Sequence, residues 1–238
     1  METLYLLAIS QGLLMLFFLF RKKNRNQANI ALSFWILSIC LVLGSSYLYK
    51  EGLVSKYPHL VGIDMATPFL CGPLLYIYIH LILNPGKKLT LPDYIHFGPF
   101  FLFLTYLTIT LYAKDAAFKS QIVNGELHLM PRTAQIFVYL TSIFQAFIYS
   151  LIVYHKLRKT EIENSRLKTW LKVFTGGILV INSLFFGVFI GKVYALPLLS
   201  YFKIEYFNMA IFIMVYLMII VALKYPNLFD YYVNLQRR

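Results

Sequence analysis

Asp64 and His80 are the side chains whose type and setting could do chemistry, because both fall in one apolar run, LVGIDMATPFLCGPLLYIYIHLIL, at residues 60–83. An ionisable group within hydrocarbon is expensive and marks a functional site by default. The competing reading is solvation by headgroups, since Asp64 sits about one turn inside one end of the run, His80 lies near the other, and the cost falls towards the interface. Pro68 and Pro73 in the same run each remove a helix donor and should kink or loosen it.

Gln11, Gln145, Asn182 and Asn208 are the other polar side chains inside apolar runs, where they either line a cavity or bond between helices. Asp64, Asn182 and Asn208 are the candidate ligand-binding residues on this reading. Ser183, Gly187 and Gly191 form a small-residue stripe at a spacing of four, the pattern that lets helices approach closely within one chain or in a homodimer. Asp93 and His96 could in principle join Asp64 and His80, but they fall on the opposite side of the proposed topology from Asp64. HExxH, CxxC, Walker, GxGxxG and GxSxG patterns are all missing, so no catalytic residue, cofactor or metal is expected. Cys40 and Cys71 lie in apolar runs and suggest neither a disulfide framework nor zinc. The last run, YFNMAIFIMVYLMIIVAL, has no lysine for a retinal Schiff base.

The elements that must position these residues follow from composition. Hydrophobic residues make up 59% and charged ones 13% of the 238 residues, against roughly 45–50% and about 25% in soluble domains. Seven apolar stretches meet the roughly 17 to 25 residues a spanning helix needs: Thr3–Phe20, Ile30–Tyr49, Leu60–Leu83, Phe97–Ala113, Ala134–Tyr154, Trp170–Tyr194 and Tyr206–Leu223. Long continuous runs, rather than alternating ones of about ten residues, exclude a transmembrane barrel. The expected fold is all-α, a seven-transmembrane helix bundle, with residues 1–224 as the membrane domain and 225–238 as a cytoplasmic tail, interfacial helix or linker.

Charge sets the orientation. Of the 22 lysines and arginines, fifteen fall in one alternate set of segments: Arg21, Lys22, Lys23 and Arg25; Lys87 and Lys88; Lys156, Arg158, Lys159, Arg166, Lys168 and Lys172; and Lys224, Arg237 and Arg238. Basic loops stay cytoplasmic, which places the N-terminus outside and the C-terminus inside. The net charge of +12 is thereby an orientation signal rather than a nucleic-acid surface. Glu2 precedes the first run and basic residues follow it, the reverse of a cleaved signal peptide. HKLRKTEIENSRLK, at residues 155–168, mixes charges at helical spacing and should extend the helices on either side of it into the cytoplasm. It offers an anionic-lipid contact, an effector dock or a solvated loop.

GPLLYIYIHLIL at 72–83, LPDYIHFGPFFLFL at 91–104, RLKTWLKVF at 166–174 and ALKYPNLF at 222–229 together resemble the N-terminal seven-helix membrane region of bacterial AraC-type transcriptional regulators. The resemblance implies a signal-sensing region in the bacterial inner membrane whose last helix leads into a cytoplasmic helix-turn-helix domain. The present sequence reaches Arg238, about where the linker to that domain would begin, so no residue here is expected to touch DNA. A membrane-embedded sensory module is therefore expected, its partners the lipid bilayer and a cytoplasmic output domain or protein, with a small transporter or channel as the alternative.

Overall fold

The computed structural model describes residues 2–21, 27–84, 86–162, 164–193 and 204–224. The basic residues Lys22, Lys23 and Arg25 and the tail proposed at 225–238 lie outside them. Every apolar run named above contains a helix, and no strand occurs among the described residues. The helices are α1 (Glu2–Arg21), α2 (Gln27–Lys50), α3 (Leu53–Lys56), α4 (Pro68–Leu83), α5 (Leu91–Ile95), α6 (Gly98–Leu107, running on as a π turn, Thr108–Tyr112), α7 (Ala116–Val123), α8 (Arg132–Lys159), α9 (Ser165–Val193) and α10 (Ile204–Lys224). Three of them, α2, α8 and α9, are long and apolar enough to cross a membrane. Tyr5–Phe20, Pro68–Leu83, Gly98–Tyr112 and Asn208–Val221 are shorter apolar helices.

The third run departs from a continuous helix. Gly62 takes a left-handed backbone (φ 75°), a conformation that ends a helix and that glycine adopts without a Cβ penalty. Residues 63–67 then wind through tight turns, with Met65 N–H donating to Gly62 O (3.1 Å) and Thr67 N–H to Asp64 O (2.9 Å). Pro68 stands at the first position of α4, where a missing N–H costs nothing because no partner would exist for it. Pro68 is thus a helix starter, and the interruption lies ahead of it. Pro73 is inside α4 and buried, and it deprives the Phe69 carbonyl of its helical donor. The sixteen residues of α4 rise about 24 Å, short of a hydrocarbon core of about 30 Å.

Neighbouring packing runs α1–α2–α4–α8–α9–α10 and returns to α1, so six helices close into a ring. Their main core includes Met15, Leu32, Ile36, Leu75, Ile79, Leu157, Leu171 and Met218. Within it, Phe174 of α9 meets Trp35 of α2 edge-on, with ring centroids 5.5 Å apart, and Tyr78 of α4 at 6.4 Å. Serines and threonines buried in these helices, such as Ser33, Ser150 and Thr175, return their hydroxyls to the carbonyl four residues earlier, which satisfies them without water. Outward-facing Phe17, Phe34, Leu102, Ile109, Phe137 and Val180 remain exposed. A belt of large apolar side chains this extensive suits hydrocarbon rather than water.

α6 stands outside the ring against α4. A second apolar cluster, Val54, Val61, Ala66, Leu107 and Leu111, anchors it at one end. Between the fourth and fifth apolar runs lies α7, begun by Asp115, whose carboxylate accepts from Phe118 N–H (2.9 Å). α8 continues to Lys159 and α9 starts at Ser165, so the extension of both helices past their apolar runs is found as expected.

Candidate functional site

α4 carries polar groups at both ends, and its two ends are chemically different. At the start, Ser45 of α2 donates its hydroxyl to Asp64 Oδ1 at 2.6 Å. Ser45 is buried and lies five residues before the end of α2, so it presents a hydroxyl where the turn of residues 62–67 brings the carboxylate. Asp64 also lies close enough to Tyr49, Tyr112 and Tyr139 for its charge to act on their phenols. These residues come from the C-terminal end of α2, the end of the π turn and the first part of α8. Tyr112 donates its hydroxyl to Gly62 O at 2.6 Å, pinning the left-handed corner. Lys119 of α7 is buried and donates to Tyr112 O at 3.1 Å, a cation on a helix-terminal carbonyl.

Beside this cluster is a cavity of about 60 Å³, lined mainly by apolar atoms of Met65, Pro68, Phe103, Leu129, Tyr139 and their neighbours. Its walls come from the start of α4, from α6, from α8 and from the segment before α8. Gln135 helps fix that segment by donating to Met130 O at 3.1 Å. The site is therefore an apolar hollow with the Tyr139 phenol in its wall and Asp64 next in sequence to its lining residue Met65.

At the other end of α4, His80 Nδ1 lies 2.8 Å from Lys156 Nζ and its Nε2 lies 3.0 Å from Lys87 Nζ. Tyr76, one turn earlier, stacks on the imidazole at 5.6 Å, and the Lys156 ammonium stands 5.7 Å from the Tyr76 ring centroid. His96 packs on Tyr76, and its Nδ1 is 2.7 Å from the Tyr149 hydroxyl. Asp93 belongs to this end, where its carboxylate accepts from Thr90 N–H (2.7 Å) and the Thr90 hydroxyl (2.8 Å). The backbone bond and then the side-chain bond hold Asp93 below the usual carboxylate range.

Family models, characterised proteins and solved structures yield no match to this chain. Its site is accordingly read from geometry alone.

Of the four groups weighed from sequence, Asp93, His80 and His96 gather at one end, and Asp64 is at the other. Asn182 donates to Ser150 Oγ at 2.8 Å across the α8–α9 seam. Asn208, buried, donates to the Tyr5 hydroxyl at 3.1 Å across the α1–α10 seam. Both asparagines are engaged in interhelical bonds, the second of the two roles their sequence setting allowed. A Cβ on Gly187 would meet nothing within 4 Å, so that member of the small-residue stripe faces open space. No group of three or more metal-ligating side chains occurs among the described residues. Sequence reasoning missed the phenol ring around Asp64 and the lysine pair on His80. Tyr49, Tyr112 and Tyr139 read individually as interfacial or apolar residues, and Lys87 and Lys156 read as orientation charges 69 positions apart.

Proposed function

We propose that this chain is a seven-span, N-out/C-in sensory module of a bacterial inner membrane, serving as the sensor part of a membrane-bound transcriptional regulator. The observation that carries the reading is α4, which joins the Asp64 hollow to the His80–lysine cluster through one short, proline-containing helix packed between α2 and α8. Under this reading a small molecule enters beside Asp64, and the two arrangements of α4 bind it unequally, as any population shift requires. The inner ends of α8 and α9 pass the change to an output domain. The charge asymmetry of the loops and the resemblance of four segments to AraC-type membrane regions support it.

The test joins an AraC-type DNA-binding domain after Arg238 and reads a reporter gene. Asp64→Asn and Pro73→Ala should each shift the reporter's set point at unchanged protein level. A reporter indifferent to both removes the basis for sensing. The topology is checked separately by introducing Glu126→Cys and Lys159→Cys and labelling intact cells with an impermeant maleimide, which should reach only the first.

A small transporter or channel is the second reading. It is favoured by the buried amide oxygens of Gln11 and Gln145, which have no hydrogen-bond partner among the described residues and would suit a watered path. Proteoliposome flux that depends on Asp64 or His80 would favour it over sensing.

A further inference from the structure

A neutral imidazole has one acceptor nitrogen and one N–H, while a lysine ammonium has donors only. His80 faces a lysine at each nitrogen, Lys156 at Nδ1 and Lys87 at Nε2. The ring can accept from one of them, and its own N–H then confronts the other. The Asn84 amide nitrogen, 3.4 Å from the same Nδ1, is a further donor, although it has a good acceptor in His80 O at 2.8 Å. This is a cluster of donors with too few acceptors. Among the described residues neither lysine is paired with a carboxylate. Asp93 lends its charge to the neighbourhood of His80 and Lys87, but its Oδ2 takes both Thr90 donors, and its Oδ1 alone cannot serve two ammoniums and a ring N–H.

We propose that Lys87, His80 and Lys156 form a binding site for a tetrahedral phosphate oxyanion, supplied by an anionic lipid headgroup or by free phosphate. A carboxylate has two oxygens, whereas a phosphate presents at least three acceptors and up to two charges, enough for two ammoniums and the ring N–H together. The lysines can turn to it because their donors rotate on flexible stems, while Tyr76 holds the imidazole plane from behind. Lys87 is exposed and Lys156 half-buried, so the site is open on one side and walled on the other, as a headgroup or a solvated ion needs. It does not depend on the sensory reading.

The full chain in phosphatidylcholine nanodiscs, titrated with inorganic phosphate against chloride at constant ionic strength, should broaden the phosphate 31P signal saturably. Nanodiscs doped with phosphatidic acid provide the second arm, read as lipid retained on the protein in native mass spectrometry. Lys87→Gln combined with Lys156→Gln should weaken whichever binding occurs at least tenfold, since it removes both charged donors facing the anion. Lys88→Gln, one residue away, should leave it unchanged. Lys87→Gln alone, at an exposed position, keeps the test valid if the double variant does not fold, and it should weaken binding in the same direction. Saturable phosphate binding identifies the free ion, and variant-sensitive lipid retention without it identifies a headgroup. Absence of both, or equal loss in Lys88→Gln, overturns the site.

Discussion

A Cβ placed on Gly72 would stand 2.7 Å from Tyr149 Cδ2, so α4 and α8 touch backbone to ring at that point. Tyr149 in turn places its hydroxyl 2.7 Å from His96 Nδ1. The absence of a side chain at residue 72 therefore sets the α4–α8 spacing in the first turns of α4. Gly72→Ala should cost about 1–3 kcal/mol, the usual range for overpacking. Thermal unfolding in detergent would measure it, and the cost should shrink in a Tyr149→Leu background, since contacting sites couple.

Gly62→Ala combines two penalties. The left-handed backbone costs an L-residue about 1–2 kcal/mol, and the new methyl would come within 2.7 Å of Leu111 Cδ2. Leu111 is itself buried, so the comparison is made within a Leu111→Ala background, where the clash is relieved and Gly62→Ala should cost only the backbone penalty. No cost of Gly62→Ala in that background would show that the corner at residue 62 carries no strain.

The Asn182–Ser150 bond crosses a helix seam, and such bonds in membranes are worth about 0.6 kcal/mol on average. A double-mutant cycle of Asn182→Ala and Ser150→Ala should return a coupling of that order. A reporter response lost in Asn182→Ala with no change in stability would instead support the ligand-binding role expected of Asn182.

Asp93 predicts a pH dependence. Its carboxyl is depressed, so the stability it lends to the start of α5 is present above the ordinary carboxylate value and is lost as pH falls through the depressed one. Hydrogen exchange at residues 90–95 should show protection falling only in that acid range. Asp93→Asn keeps an acceptor and should abolish the pH dependence while retaining most of the protection. Asp93→Ala should lose about 1 kcal/mol of it at neutral pH.

The helices were legible because lipid-facing segments are apolar almost without interruption, a signal that survives in a single sequence. The start of α4 was not, because residues 60–67 are as apolar as the helix they precede, and the corner depends on the backbone of Gly62 and its Tyr112 anchor fifty residues away. Asp64 and His80 stood out as ionisable groups in an apolar run. Their surroundings did not, since they are made by α2, α6 and α8 converging in space, and α5 and α7 are too short for periodicity to announce.

Asn208 finds Tyr5 across almost the whole chain, which has a consequence for biosynthesis. Until α10 has been synthesised, the helices before it form an open crescent, and the Tyr5 hydroxyl lacks the amide that will meet it. A ribosome stalled before residue 204 would therefore leave a product whose α1 and α9 flank an open gap, able to recruit a wrong helix.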